Sequence, residues 1–226
     1  MTGPRPVRLF CALPLPVPVK HAIDTWWSQQ GDVPSGLRPV PDERLHLTVA
    51  FFGSVGLPSV SELQQRLGRA ASRHGPFALQ LDGGGRFDGH VLWARVVGDV
   101  EPLRGLARAA GAAGRRVGLD LEDRRYRPHV TLARASRPME LRPWAARTAS
   151  LRSDGWTASE LELVRSDLAA GGPSYTVLAS WPLGRTPDPG GASSSSAQDG
   201  RDHDDGHQDA ERERDDPATQ AGRHQA

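Results

Sequence analysis

The chain has 226 residues, with 28 basic and 27 acidic side chains and a formal charge of +1 at neutral pH. That length suits one large globular domain or two small lobes, and its single cysteine, Cys11, excludes internal disulfides and cysteine-built zinc clusters. No apolar run approaches the roughly 20 residues of a membrane span, and the proline-rich start has too short an apolar stretch for a secretory signal, so a cytoplasmic location is expected.

In chain order, Val7–Leu13 is an apolar run followed by Pro14, Pro16 and Pro18, the pattern of a strand ended by a proline-rich turn. Helical spacing follows from about Val19 to Gln30, with Ile23, Trp26 and Trp27 on the apolar side. Leu45–Phe52 predicts a strand closed by Gly53, and Ser59–His74 a helix through Val60, Leu63, Leu67 and Ala70. Phe77–Leu81 and Val91–Val96 read as an antiparallel pair around a flexible turn at Gly83–Gly85, although that connection is long for a tight hairpin. A helix over about Val100 to Val117 carries Leu103, Leu106, Ala110 and Ala113 at helical spacing and stops at Gly118. His129–Ala133 is a further strand and Leu141–Thr148 a weak helix. Two last strands, about Ser159–Arg165 and Tyr175–Trp181, flank a turn-rich segment at Ala169–Ser174. Antiparallel pairs among alternating helices favour an α+β fold over a doubly wound parallel sheet. No Gly-x-Gly-x-x-Gly or Walker-type phosphate loop is present.

Charge is unevenly distributed. From Thr186 to Ala226 there is no Val, Ile, Leu, Met or aromatic residue, so residues 185–226 cannot bury enough surface to order themselves and are expected to form a disordered acidic tail. Taking the four arginines of residues 186–226 from 28 and their ten acids from 27 leaves 24 basic against 17 acidic residues in positions 1–185. A basic body suits a polyanionic substrate.

Two strand segments repeat one pattern: Leu45-His46-Leu47-Thr48-Val49 and Pro128-His129-Val130-Thr131-Leu132. Side chains two apart on a strand share a face. His46 therefore projects with Thr48, and His129 with Thr131, while Leu47 and Val130 turn towards the core. Two imidazoles that titrate near neutrality can divide the work of proton acceptor and donor, and threonine hydroxyls can bond phosphate oxygens without adding charge. One His-x-Thr in a strand is common and often only packed; two copies in matching contexts are what point to phosphoester chemistry. Neither histidine has a second metal ligand at a familiar spacing, so no metal is expected. His21, His74 and His90, with the tail histidines, read as surface residues.

These residues resemble the two-histidine (2H) phosphoesterases, and among them the bacterial and archaeal RNA 2′,3′-cyclic phosphodiesterases historically called 2′-5′ RNA ligases. The resemblance spans about residues 7–183. It rests on Arg8-Leu9-Phe10 with Ala12-Leu13, Leu45-His46-Leu47-Thr48 with Phe51-Phe52-Gly53, Arg127-Pro128-His129-Val130-Thr131-Leu132-Ala133-Arg134, and a Leu163-to-Trp181 segment containing Ser166 and Tyr175. It implies a bilobal α+β domain over residues 1–184, with pseudo-symmetric lobes of antiparallel sheet plus helices around a central cleft. It also implies cofactor-free, metal-independent hydrolysis of RNA 2′,3′-cyclic phosphate ends, tRNA fragments among them, to 2′-phosphomonoesters by a monomeric enzyme. By that likeness His46 protonates the departing 3′ oxygen, His129 activates water, and Thr48 and Thr131 hold phosphate oxygens.

Five positions after each histidine stand Phe51 and Arg134, which the resemblance places near substrate for base stacking and phosphate pairing. Strict alternation puts both on the face opposite the histidines, so a bulge or a strand end must redirect them. The same site could instead cleave or join 2′-5′ linkages or open a small cyclic nucleotide. A non-catalytic module that binds RNA ends is the alternative of another class.

Overall fold

Proline marks where the chain changes element. Three of its helices carry proline at their second position, where a missing N–H costs no intrahelical bond. The computed structural model describes residues 5–122, 125–169 and 172–184. The tail expected at 185–226 lies outside the described residues. In order, the elements are β1 (Val7–Pro14), α1 (Val17–Ser28), β2 (Leu37–Pro39), β3 (His46–Val55), α2 (Leu57–Ala71), β4 (Phe77–Phe87) and β5 (Val91–Gly98). They continue with α3 (Val100–Arg116), β6 (His129–Ala135), α4 (Arg142–Arg147), β7 (Trp156–Ala158), β8 (Glu160–Ala169) and β9 (Gly172–Pro182).

The strands form one antiparallel sheet in the order β7-β4-β5-β6-β3-β1-β8-β9, with β2 paired to β6. This is the α+β architecture expected from the strand pattern. The two halves of the sheet, each carrying one His-x-Thr strand, meet where Leu47 of β3 pairs with Val130 of β6. Both side chains are fully buried. The Tyr126 hydroxyl donates to the Thr48 carbonyl at 2.8 Å and ties the segment ahead of β6 to β3.

Strand parity divides β1 between two packings. Leu9, Cys11 and Leu13 enter the main core, where α2 contributes Leu63 and Leu67 and α3 contributes Leu103 and Leu106. Phe10 and Ala12 point the other way, into a small cluster with Val164 and Tyr175. The main core excludes water from one face of the sheet.

Sequence and structure differ in three places. Gly83–Gly85 is no flexible turn: it lies inside β4, and the hairpin turns instead at Asp88–His90, with Asp88 at φ 48°. Gly84 and Gly85 face a close approach of β5. A Cβ on Gly84 would sit 2.1 Å from the Trp93 carbonyl oxygen, and one on Gly85 2.7 Å from the Trp93 ring. Strands β2 and β7 escape the sequence pattern, because at three residues each they are set by pairing with β6 and β4 rather than by alternation. The weak helix is shorter than expected, ending at Arg147 and followed by a 3₁₀ turn over Thr148–Ser150. Among the described residues, no helix is long and apolar enough to cross a membrane.

Candidate active site

The histidines open their strands, and the strand registers decide what joins them. In β3, His46 stands opposite Pro14, Thr48 opposite Ala12 and Phe51 opposite Phe10, and Val49 is passed over. In β6, His129 stands opposite Arg95, Thr131 opposite Trp93 and Arg134 opposite Val91, and Leu132 is passed over. Pro14, Ala12 and Phe10 are two residues apart and share a face, as do Arg95, Trp93 and Val91. Each motif strand therefore carries a bulge at the third residue after its histidine. The extra residue, Val49 or Leu132, is buried in the core. The bulge resets the parity, so Phe51 and Arg134 arrive on the histidine face and not the opposite one. Phe51 is 63% exposed there, which rules out core packing as its role.

Across the seam, the antiparallel pair Leu47 with Val130 fixes the neighbours on either side. One step along in each direction, His46 stands beside Thr131 and Thr48 beside His129. The four motif residues thus form one cross-strand set, with each histidine opposite the other motif's threonine in register.

Both rings are held in the same way. His46 Nδ1 lies 2.7 Å from the Arg44 carbonyl and His129 Nδ1 lies 2.7 Å from the Arg127 carbonyl, each two residues back. A carbonyl can only accept, so Nδ1 carries the proton in each ring and Nε2 is the nitrogen left for a reacting group. The matching Arg44 and Arg127 were visible in sequence, but only the fold shows that their backbone oxygens set the tautomers.

Each ring also has an aromatic box. Phe10 stacks on His46 at 4.8 Å between centroids, and Tyr175 meets it edge-on at 5.4 Å. Phe87 meets His129 edge-on at 4.9 Å, and Trp93 approaches at 6.1 Å. Sequence reasoning gave no role to Phe87 or Trp93. The available signal was an aromatic at the non-core parity of a strand that pairs with a His-x-Thr strand. Tyr175 is held by the β8–β9 hairpin, which Arg44 anchors by donating to the Pro173 carbonyl at 3.2 Å.

Burial lowers the pKa of His46 and of His129, the bonds to the backbone carbonyls raise them in part, and the positive charge of Arg134 lowers both again. Arg134 thus acts on both rings. In the free protein the two imidazoles are neutral at pH 7, and an anion in the cleft would draw a proton onto one of them. In an NMR titration both rings should therefore titrate below about 6.5, the ordinary histidine value, and move up on adding 2′-AMP; unchanged values with 2′-AMP would place the anion elsewhere. The sign for stability follows. An unfolded state with ordinary histidines binds protons first, so these two groups remove stability as pH falls from about 6.5 through their folded values.

The remaining histidines are scattered. His21 and His90 are exposed, as expected. His74 is half-buried rather than a surface residue, with Nδ1 against the Ala70 carbonyl at 2.9 Å. The tail histidines lie outside the described residues. Thr48, Phe51 and His129 open on a cleft of about 1340 Å³ that runs past Tyr126 to α3.

A family model described as the 2′-5′ RNA ligase superfamily matches residues 15–170. The chain belongs to the 2′-5′ RNA ligase superfamily. It is 32% identical over 187 residues to the RNA 2′,3′-cyclic phosphodiesterase of Escherichia coli, covering 79% of this chain and 97% of that protein. The crystal structure of E. coli LigT in apo form superposes with a TM-score of 0.67 at 29% identity, over 80% of this chain and all of that one. E. coli LigT complexed with 3′-AMP is similar at a TM-score of 0.64 and 29% identity, over 80% of this chain and 100% of that chain.

Proposed function

We propose that the protein hydrolyses RNA 2′,3′-cyclic phosphate ends to 2′-phosphomonoesters with His46 and His129 as its acid and base. The observation that carries this reading is the matched pair of imidazoles, each fixed by an Nδ1–H bond to the carbonyl two residues back and each left with a free Nε2. Support comes from the E. coli relative, named an RNA 2′,3′-cyclic phosphodiesterase, and from the LigT complex with 3′-AMP.

In the reaction, His129 Nε2 takes a proton from water as the water oxygen bonds to phosphorus. The bond from phosphorus to O3′ breaks, and His46 Nε2 delivers a proton to that oxygen. A 2′-phosphate and a free 3′-hydroxyl result, with atoms and charge balanced. His46 enters this cycle protonated, a state that the bound anion favours over the free protein's neutral ring. Thr48 and Thr131 donate to the non-bridging oxygens, and Arg134 neutralises charge that builds there. Phe51 offers an exposed ring for the terminal base. The acid and base labels rest on the family resemblance. So do the monomeric state, the cytoplasmic location and tRNA fragments as the source of ends.

The test incubates purified protein with an oligonucleotide ending in a 2′,3′-cyclic phosphate, in EDTA, and separates the 2′- from the 3′-phosphate product. Conversion to the 2′-phosphate is expected. Unchanged substrate would overturn the reading, and a 3′-phosphate product would reverse the leaving group. Arg134→Ala should lower kcat/KM about 10- to 100-fold, the worth of a lost hydrogen bond to a charged group. It should also raise the pKa of both imidazoles in the NMR titration, which a change in packing alone would not do.

A further inference from the structure

The cleft that opens at His129 and Thr48 continues along α3, among residues the chemistry does not use. Arg104, Arg108 and Arg115 line it together with Thr48, Phe51 and His129. They stand at i, i+4 and i+11, on one face of the helix. The rise of an α-helix spaces the first two by about 6 Å and sets the third about 10 Å further on. The opposite face of α3 is the one that enters the core, through Leu103, Leu106 and Ala110. Arg125 and Arg127 add two more cations from the segment ahead of β6.

Three acids, Glu101, Asp120 and Glu122, share the lining. Glu101 is committed to an ion pair with Arg104. Arg108 and Arg115 are exposed and make no ion pair among the described residues. Gly111 lies between them on the same face, and a Cβ there would be 3.6 Å from Arg115 Nη1. The Arg115 guanidinium therefore lies along the helix over bare backbone, within the cleft. At about 1340 Å³ the cleft is larger than the roughly 300–1,000 Å³ that holds one small ligand.

We infer that the Arg108–Arg115 face of α3 is the track for phosphates of the nucleotides 5′ to the cyclic end, so that the enzyme selects RNA oligonucleotides over cyclic mononucleotides. This rests on the proposed activity. A terminal nucleotide held at Phe51 and His129 leaves the α3 wall of the same cleft, with Arg108 and Arg115, to the phosphates of a chain that continues. Guanidinium groups serve such a chain well, because they pair with phosphate oxygens in a planar, two-pronged geometry.

The experiment compares kcat/KM of the full chain for 2′,3′-cyclic AMP and for a hexanucleotide ending in a 2′,3′-cyclic phosphate, across a salt series. Wild type should favour the hexamer at least tenfold. The Arg108→Gln/Arg115→Gln double variant should cut the hexamer-to-mononucleotide ratio at least fivefold. It should also flatten the log–log salt slope on the hexamer by about 1.4, two contacts at roughly 0.7 each for a single strand. Arg69→Gln/Arg73→Gln, on exposed positions of and just beyond α2, removes the same charge away from the cleft and should leave the ratio unchanged.

Equal use of both substrates by wild type, or the same ratio in the double variant, would overturn the track. So would an equal loss in the Arg69/Arg73 control, which would reveal a general charge effect. If neither substrate turns over, the catalytic reading fails. Fluorescence anisotropy with a labelled hexamer ending in a 2′-phosphate then decides the track alone: at least tenfold weaker binding in the Arg108/Arg115 variant supports it, and unchanged binding rejects it.

Discussion

His46→Ala and His129→Ala should each lower kcat on a cyclic-ended oligonucleotide by about 10²- to 10⁴-fold, the usual worth of a positioned acid or base. The double variant should lose little more than the worse single one, since two groups acting in one proton relay are not additive. Substrate binding should change far less than turnover. Thr48, Thr131, Phe51 and Arg134 remain in place, and each histidine lies on the face away from the main core.

The two variants should also differ in how kcat depends on pH. Removing the base, His129, should abolish the acidic limb of the profile, where its protonation stops the reaction. Removing the acid, His46, should abolish the basic limb, where its deprotonation does so. Exchange of the two limbs between the variants would exchange the two roles. Undiminished turnover in either variant would end the two-histidine mechanism. The free-enzyme and bound-state values should diverge as well. Burial and Arg134 hold both rings low before substrate arrives, and the phosphate anion lifts the one that serves as acid.

The largest effect on stability is expected at Gly84. An alanine Cβ there would meet the Trp93 carbonyl oxygen at 2.1 Å and the Thr148 side chain at 3.0 Å. Backbone on a paired central strand cannot swing away as a side-chain end can, so β4 and β5 must separate locally. Overpacking of this kind costs about 3 kcal/mol or more, which lowers Tm by about 6–12 °C in a domain of this size. Urea denaturation would measure it. Gly75→Ala, with nothing within 4 Å of the new Cβ, should stay within about 0.5 kcal/mol of wild type. Activity should fall in Gly84→Ala as well, because Trp93 stands opposite Thr131 and beside His129. A Gly84→Ala protein as stable as wild type would mean that the strands are not held at this separation.

How much of this was legible in advance depends on how local each property is. The pairing of His46 with Thr48, and of His129 with Thr131, on one strand face follows from the two-residue period of any strand and needs no partner. The helices over Leu57–Ala71 and Val100–Arg116 are likewise written in their own apolar spacing. That is why the α+β class and the duplicated motif could be read directly.

The bulges at Val49 and Leu132 could not be read. A bulge is a mismatch between two strands, and nothing in the bulged strand alone says which residue its neighbour will pass over. Yet those two residues decide whether Phe51 and Arg134 share the histidine face or the core face. The same limit applies to Gly83–Gly85, which looks like a turn until β5 is laid against it. It applies too to the aromatic boxes, whose members come from β1, β4, β5 and β9. The histidines and threonines belong to the chain's local pattern. Their tautomers, their lowered pKa values and the company they keep belong to the sheet, because each depends on atoms that only strand pairing brings within reach.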